Sequence, residues 1–523
     1  MIKTAVMIAA GLALVWLLAD RRAGRRLVQW SSGLGKEPAK HWTLACASIA
    51  AWTAFLCTLK IGQQAAIQTG FDLAIYANVA WHMVHGPWFY DAIFDRNILS
   101  GHFSPIYVLI GLIYRLSPHP ATLMVVQSLG LGLGAVALYL IAVRVLGYSL
   151  WPFGALVLYF THSYLHIAHA KDFHTNLLAI PILLWMLYCA ERCRGALVVV
   201  LGALALTVEE GVPPAVAGVG LYLVACQPRL RVVGWICAVM AIAYFLVVTA
   251  VVMPALYKPG GHLLWDRYAH LGGSLKEAVI NLLTHPLWAI QQAVMVNSKW
   301  YYLLAFFGSL GFVPLLAWRE ASLTALPLLA MILSQNPGQY KLGFHYSAAA
   351  LPLLYYAFVY GLRIVRERLV MWIPVADTRS RVATAAVVLL AGFNVSQSPG
   401  YDLTRIDHAY VAAVRNALSA VPEGASVAAT GALVPQLVNR HLVCYVKWLP
   451  GRLCEWGAPT FVVLDLGPRR FEEIPLPVRV QYLRSLIQEL GYTAVHEQDG
   501  IVILEGRERL GPDFAPSAQE RTF

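Results

Sequence analysis

Residues 70–105 read GFDLAIYANVAWHMVHGPWFYDAIFDRNILSGHFSP. The stretch follows a strongly apolar run, Trp42 to Ile61, and precedes another at 121–146. Between those runs lie Asp72, His82, His85, Asp91, Asp95, Arg96 and His102. Ionisable groups beside bilayer spans are expensive unless they face water or a cavity, so such a cluster marks a functional region. Leu73, Tyr76, Ala80, Met83 and Val84 recur at helical spacing and predict an amphipathic helix over 73–84. Ser104 as cap and Pro105 at the first helical position predict a second helix over 106–116. A dozen helical residues rise only about 18 Å, short of a ~30 Å hydrocarbon core. Both helices are therefore expected to lie in the membrane interface.

The surrounding chain has 523 residues, 59% hydrophobic and 13% charged, with a mean hydropathy of +0.60. Soluble domains carry about 25% charged residues, so the composition indicates an α-helical polytopic membrane protein. The net charge of +11 sits in short loops at the ends of apolar runs and forms no continuous patch. That pattern serves topology and argues against nucleic acid as a partner. Apolar runs at about 2–19, 42–61, 121–146, 150–167, 174–190, 196–208, 211–227, 232–253, 300–317, 321–335, 344–362 and 382–397 predict about twelve spans. With the N-terminus outside, the Arg-rich loops around 20–41 and 363–381 fall inside, as the positive-inside rule requires. Of sixteen histidines only His41 then falls inside, so any chemistry belongs to the outer face.

After residue 400 the composition turns polar. Residues 408–420 and 479–490 read as helices, and 426–429, 443–446, 460–466, 493–496 and 501–504 as short strands. Asp499-Gly500 supplies a hairpin turn between the last two strands. The expected organisation is an extra N-terminal span and basic cytoplasmic linker at 1–41 and a transmembrane domain with interfacial helices at 42–400. An extracytoplasmic soluble α/β domain at 401–506 and a disordered tail at 507–523 complete it. Cys444 and Cys454 lie in the polar region, where an oxidising compartment permits a disulfide between them. The other six cysteines lie in or beside apolar runs and read as inert.

Each polar motif has two readings. Asp72 opens a predicted helix and is either its N-cap or a general base. Glu209-Glu210 lies between two apolar runs, where adjacent carboxylates repel unless a cation, proton or substrate joins them. That pair therefore reads as functional. His162, His166 and His169 share a helical face and are either metal ligands or hydrogen-bonded interfacial histidines. Lys171, Asp172 and His174, and likewise Lys341, His345 and Tyr346, are either interfacial anchors or ligands for phosphate and hydroxyl groups. No nucleotide-binding glycine loop, nucleophile elbow or zincin motif occurs.

The motifs Gly70-Phe71-Asp72-Leu73, His102-Phe103-Ser104-Pro105, Lys171-Asp172-Phe173-His174, Glu209-Glu210-Gly211 and His345-Tyr346-Ser347 together resemble an uncharacterised family of bacterial polytopic membrane proteins, domain of unknown function 2079. The likeness covers nearly all of 42–506. The His-Phe-Ser-Pro motif with its interfacial helix, followed by a long span ending Ala142-Val143-Arg144-Val145-Leu146-Gly147, is also similar to type C (GT-C) glycosyltransferases. That resemblance implies an inverting enzyme in the bacterial cytoplasmic membrane. It would move a sugar from a polyprenyl-phosphate donor to an acceptor hydroxyl on the outer face. By position Asp72 matches the catalytic acid of the first outer loop. Glu209 and Glu210 join it as catalytic candidates, and Asp172 and Glu209 both fit the second acidic motif. Arg96, His102, Lys171, Asp172, His174, Lys341, His345 and Tyr346 become substrate-binding candidates. No cofactor is named, although a divalent cation is compatible with the acidic residues. The partners implied are membrane lipid and the polyprenyl-phosphate sugar. The acceptor, whether glycan, lipid or protein, stays open. The alternatives are a transporter and a non-catalytic cell-envelope scaffold. Ionisable residues at one face, without an internal repeat, weigh against transport.

Overall fold

The apolar runs largely become helices, and at one break a distant side chain takes over a backbone hydrogen bond. The computed structural model describes residues 2–20, 22–257, 265–285, 287–288, 291–292, 297–341, 344–399, 406–446, 453–467 and 474–506. The expected tail, 507–523, lies outside them. The chain divides into two compact units. The first comprises Met1–Cys57, Leu99–Ile106 and Gln127–Tyr401; the second comprises Thr58–Ile98, Tyr107–Val126 and Asp402–Phe523.

The first unit is helical. Among the described residues, three helices are long and apolar enough to cross a membrane: Pro38–Ala65, Pro120–Leu146 and Pro228–Leu256. Gly195–Leu206 and Pro213–Cys226 are shorter, at 12 and 14 residues, and rise about 18 and 21 Å. One apolar run is therefore not always one bilayer-length helix. Pro213–Cys226 packs tightly on Arg231–Val247 through glycine. A Cβ on Gly220 would stand 2.6 Å from the Ala238 nitrogen, so only glycine admits this backbone approach.

Two expectations about apolar runs are corrected here. The run at 150–167 is two helices, Trp151–Thr161 and Ser163–Ala170, parted at the extended residue His162. The break is stabilised from a distance: Ser163 donates its backbone N–H to Asn394 Oδ1 at 3.0 Å. The run at 300–317 is interrupted after Asn297–Gly308, where Gly311 and Phe312 adopt positive φ. The basic linker after the first helix is itself a helix, Ala23–Lys36.

The second unit is built on a five-stranded sheet. Val427–Ala429 pairs in parallel with Val443–Tyr445 and with Phe461–Asp465. Ile501–Glu505 pairs antiparallel with Phe461–Asp465 on one side and with Thr493–Gln498 on the other. Asp499 and Gly500 have φ of 54° and 80° and close the last hairpin, as a two-residue turn with positive φ at both positions must. Helix His408–Leu418 starts at Asp407, whose carboxylate accepts the Tyr410 N–H at 3.0 Å. Helix Leu476–Gln488 and buried Val462, Leu464, Val502 and Leu504 complete the core. The structure joins Cys444 to Cys454 in a disulfide with Cα atoms 5.9 Å apart.

This unit also holds residues 70–98 of the stretch that opened the reading. Helix Phe71–His85 packs on Tyr107–Leu116 so closely that a Cβ on Gly111 would meet the Met83 Cβ at 2.6 Å. Asn78 ties helix Phe71–His85 to the segment before strand Val443–Tyr445 and to Ala92. Its Nδ2 donates to the Val438 and Arg440 carbonyls at 2.8 and 3.0 Å, and its Oδ1 accepts the Ala92 N–H at 3.2 Å. The N-cap of helix Phe71–His85 is Gly70, with Asp72 inside the first turn. The capping reading of Asp72 is thereby corrected. The following helix starts at Tyr107, and Ser104 Oγ lies 3.5 Å from Thr175 Oγ1.

Candidate functional site

The first unit brings Glu209, Glu210, His102 and Thr175 together from three segments. Glu209 and Glu210 occupy the turn between Gly195–Leu206 and Pro213–Cys226. His102 sits on the segment Leu99–Ile106, which is tied to that turn because Ile106 donates its N–H to the Thr207 carbonyl at 2.9 Å. Thr175 starts the short helix Thr175–Leu178, which follows the Lys-Asp-Phe-His motif.

Both carboxylates are buried, at 5% and 6% exposure, so each must find partners. Glu209 Oε2 accepts the Thr175 hydroxyl at 3.0 Å, and Glu210 Oε2 accepts the Phe103 N–H at 2.9 Å. The other oxygens turn to one imidazole: His102 Nδ1 stands 3.3 Å from Glu210 Oε1 and 3.7 Å from Glu209 Oε1. Burial, and then the neighbouring Glu210, push Glu209 up to about 7. Burial also pushes Glu210 up, but the His102 hydrogen bond and charge outweigh it and hold that carboxyl below its ordinary value. Burial lowers His102, yet the hydrogen bond and charge of Glu210, then the charge of Glu209, raise it to about 8. The trio can therefore share protons among three close groups, or surrender them to a cation. Its ligand atoms all lie within 4.8 Å of one another, close enough to hold a metal ion.

Around this trio the loops bring further polar groups. His174 donates its backbone N–H to Gln127 Oε1 at 2.9 Å, and its ring stacks on His345 with centroids 3.6 Å apart. Asn176 Nδ2 donates to the His345 carbonyl at 3.4 Å. Lys171 Nζ lies 4.1 Å from the Phe344 ring centroid, and the Arg267 guanidinium 5.6 Å from the Tyr346 ring. The positive charge of Arg267 acts on both His102 and Glu209. Asp172 is half-buried and Lys341 exposed.

A family described as "Predicted membrane protein (DUF2079)" matches residues 65–503. The chain belongs to this family. It is accordingly a membrane protein. No curated protein matches the sequence. Among solved structures, ArnT from Cupriavidus metallidurans bound to undecaprenyl phosphate is similar, with a TM-score of 0.54 and 13% identity. That match covers 89% of this chain and 98% of the other. The apo state of the same protein aligns with a TM-score of 0.49 and 12% identity, over 90% and 98% of the two chains. The first likeness shows a shared GT-C-like fold.

The sequence candidates of this family member thus fall into groups. His102, Glu209 and Glu210 meet in the first unit, and His174 meets His345 there. Asp72 and Arg96 belong to the second unit. Arg96 Nε lies 3.6 Å from Asp91 Oδ2, with its guanidinium over the Phe94 ring at 4.5 Å, so it is engaged in an ion pair. His162, His166 and His169 do not converge. They bond separately to Ser309 Oγ, the Phe160 carbonyl and Ser128 Oγ, which supports their plain hydrogen-bonded reading. Sequence reasoning missed Thr175, Gln127 and Arg267. Thr175 follows His174 directly and was within reach of the motif, whereas Arg267 ends a single 3-10 turn, Trp265–Arg267, with no sequence pattern to mark it.

Proposed function

We propose that this membrane protein transfers a sugar from a polyprenyl-phosphate donor to an acceptor hydroxyl at the outer face of the bacterial cytoplasmic membrane. The observation that carries this reading is the burial of two carboxylates and an imidazole together on the loops of a GT-C-like fold. Its structural neighbour was solved with undecaprenyl phosphate, a lipid of the donor's class.

In this reaction the sugar C1–O bond to phosphate breaks and a C1–O bond to the acceptor forms in one displacement, which inverts the anomeric centre. The acceptor proton passes to a carboxylate, and the polyprenyl phosphate departs with the bonding pair. Asp72 takes the role of base by its match in position to the catalytic acid of GT-C enzymes. The departing phosphate is already anionic and needs positive charge and hydrogen-bond donors. Lys171, Lys341, Arg267, His174, His345 and Tyr346 are the groups assigned to that task.

The test is transfer of label from a panel of radiolabelled polyprenyl-phosphate sugars by the purified chain in proteoliposomes. Release of polyprenyl phosphate with labelled product is expected. Absence of turnover across the panel, together with solute uptake by sealed vesicles, would overturn the reading in favour of transport.

A further inference from the structure

The two buried carboxylates are arranged unequally. Each commits its Oε2 to the protein, Glu209 to the Thr175 hydroxyl and Glu210 to the Phe103 N–H. Each directs its Oε1 towards His102 Nδ1. A proton on that nitrogen can serve one oxygen well. It serves Glu210 at 3.3 Å and leaves Glu209 Oε1 at 3.7 Å, beyond hydrogen-bond length. Glu209 Oε1 therefore meets His102 only at ion-pair range, although its side chain is 7% exposed. The internal ion pair therefore favours Glu210 over Glu209. A cation among the three ligand atoms would satisfy all of it.

We propose that His102, Glu209 and Glu210 form a binding site for one divalent cation of the Mn²⁺ or Zn²⁺ class. One imidazole nitrogen with two carboxylate oxygens is a donor set for such ions. Thr175 and the Phe103 N–H hold the carboxylates from behind, the work of an outer shell that fixes ligand orientation. The Ile106–Thr207 hydrogen bond joins the two ligand-bearing loops independently of any ion. Three protein ligands leave coordination positions open to water or to an anionic oxygen. The site rests on these side chains alone, so it survives failure of the glycosyl-transfer reading.

The test uses the full chain, purified in detergent and stripped with chelator. Mn²⁺ is titrated in, and the electron-paramagnetic-resonance signal of the free ion reads binding. One bound ion per chain is expected, displaced by Zn²⁺. Thr175→Val, which removes the hydroxyl behind Glu209, should weaken binding about 10–100-fold. Glu209→Gln and Glu210→Gln should weaken it further. Should those variants misfold, hyperfine coupling from imidazole nitrogen to Mn²⁺ in the unsubstituted chain reads the same ligation. Absence of bound ion, absence of nitrogen coupling, or unchanged affinity in folded Gln variants would overturn the site. No arm measures sugar transfer, so the two proposals fail separately.

Discussion

Phe103 donates its backbone N–H to Glu210 Oε2 across 107 residues of chain, at 2.9 Å. The bond locks the His-Phe-Ser-Pro loop onto the acidic turn. Glu210→Gln keeps an acceptor at this place, and Glu210→Ala removes it. Leaving the N–H unsatisfied costs about 1–3 kcal/mol. Thermal unfolding in detergent should therefore show Glu210→Ala clearly less stable than Glu210→Gln. Equal stabilities would mean the hydrogen bond contributes nothing.

Asp72→Asn preserves the size of the side chain and removes the base. Transfer should fall by roughly 10²–10⁴-fold, the usual contribution of a positioned base. Donor binding should remain. Asp72 lies past the N-cap Gly70, so helix Phe71–His85 does not depend on it for a cap. Near-normal turnover in Asp72→Asn would sink the assignment.

Asp91 gives the second unit a pH dependence. Burial, opposed by the Arg96 charge and the Ile93 N–H, raises its carboxyl from 3.8 to about 6. Below pH ~4 the group is protonated in both states and has no effect on stability. Between ~4 and ~6 the unfolded chain has released the proton and the folded chain keeps it, so stability falls as pH rises. Above ~6 the loss is complete, roughly 3 kcal/mol at 1.36 kcal/mol per pKa unit. The wild-type curve measured against Asp91→Asn should show this fall between pH 4 and 6. A difference that stays flat with pH would contradict it.

The Cys444–Cys454 bridge closes a short loop, with a sequence separation of 10. Its removal should destabilise the unit by roughly 2–3 kcal/mol. Unfolding with and without reductant measures this directly. Both thiols reacting with a label in native, unreduced protein would refute the bridge.

Loop charge predicts that the N-terminus and the residues after 400 lie outside, with about twelve spans between. A reporter active only in the cytoplasm, fused after Arg507, should be silent. Activity there would move one span.

Local pattern determined a good deal of this protein. The amphipathic spacing in 73–84 became helix Phe71–His85, and Asp499-Gly500 became the hairpin turn. The strands after residue 426 formed close to their expected places, because alternation and turn chemistry are encoded within a few residues. The adjacent pair Glu209-Glu210 was legible as a place that needs partners, since two neighbouring carboxylates repel.

Tertiary structure alone decided which partner. His102 lies 108 residues from Glu210, and nothing local to either records their approach. The same holds for the break at His162, whose following N–H is taken by Asn394 from 231 residues away. It holds for Asn78, whose carboxamide ties helix Phe71–His85 to carbonyls more than 350 residues on. Periodicity reports which face of an element is apolar. Hydrogen-bond geometry at a buried polar group depends on where distant elements pack, and only the folded chain specifies that.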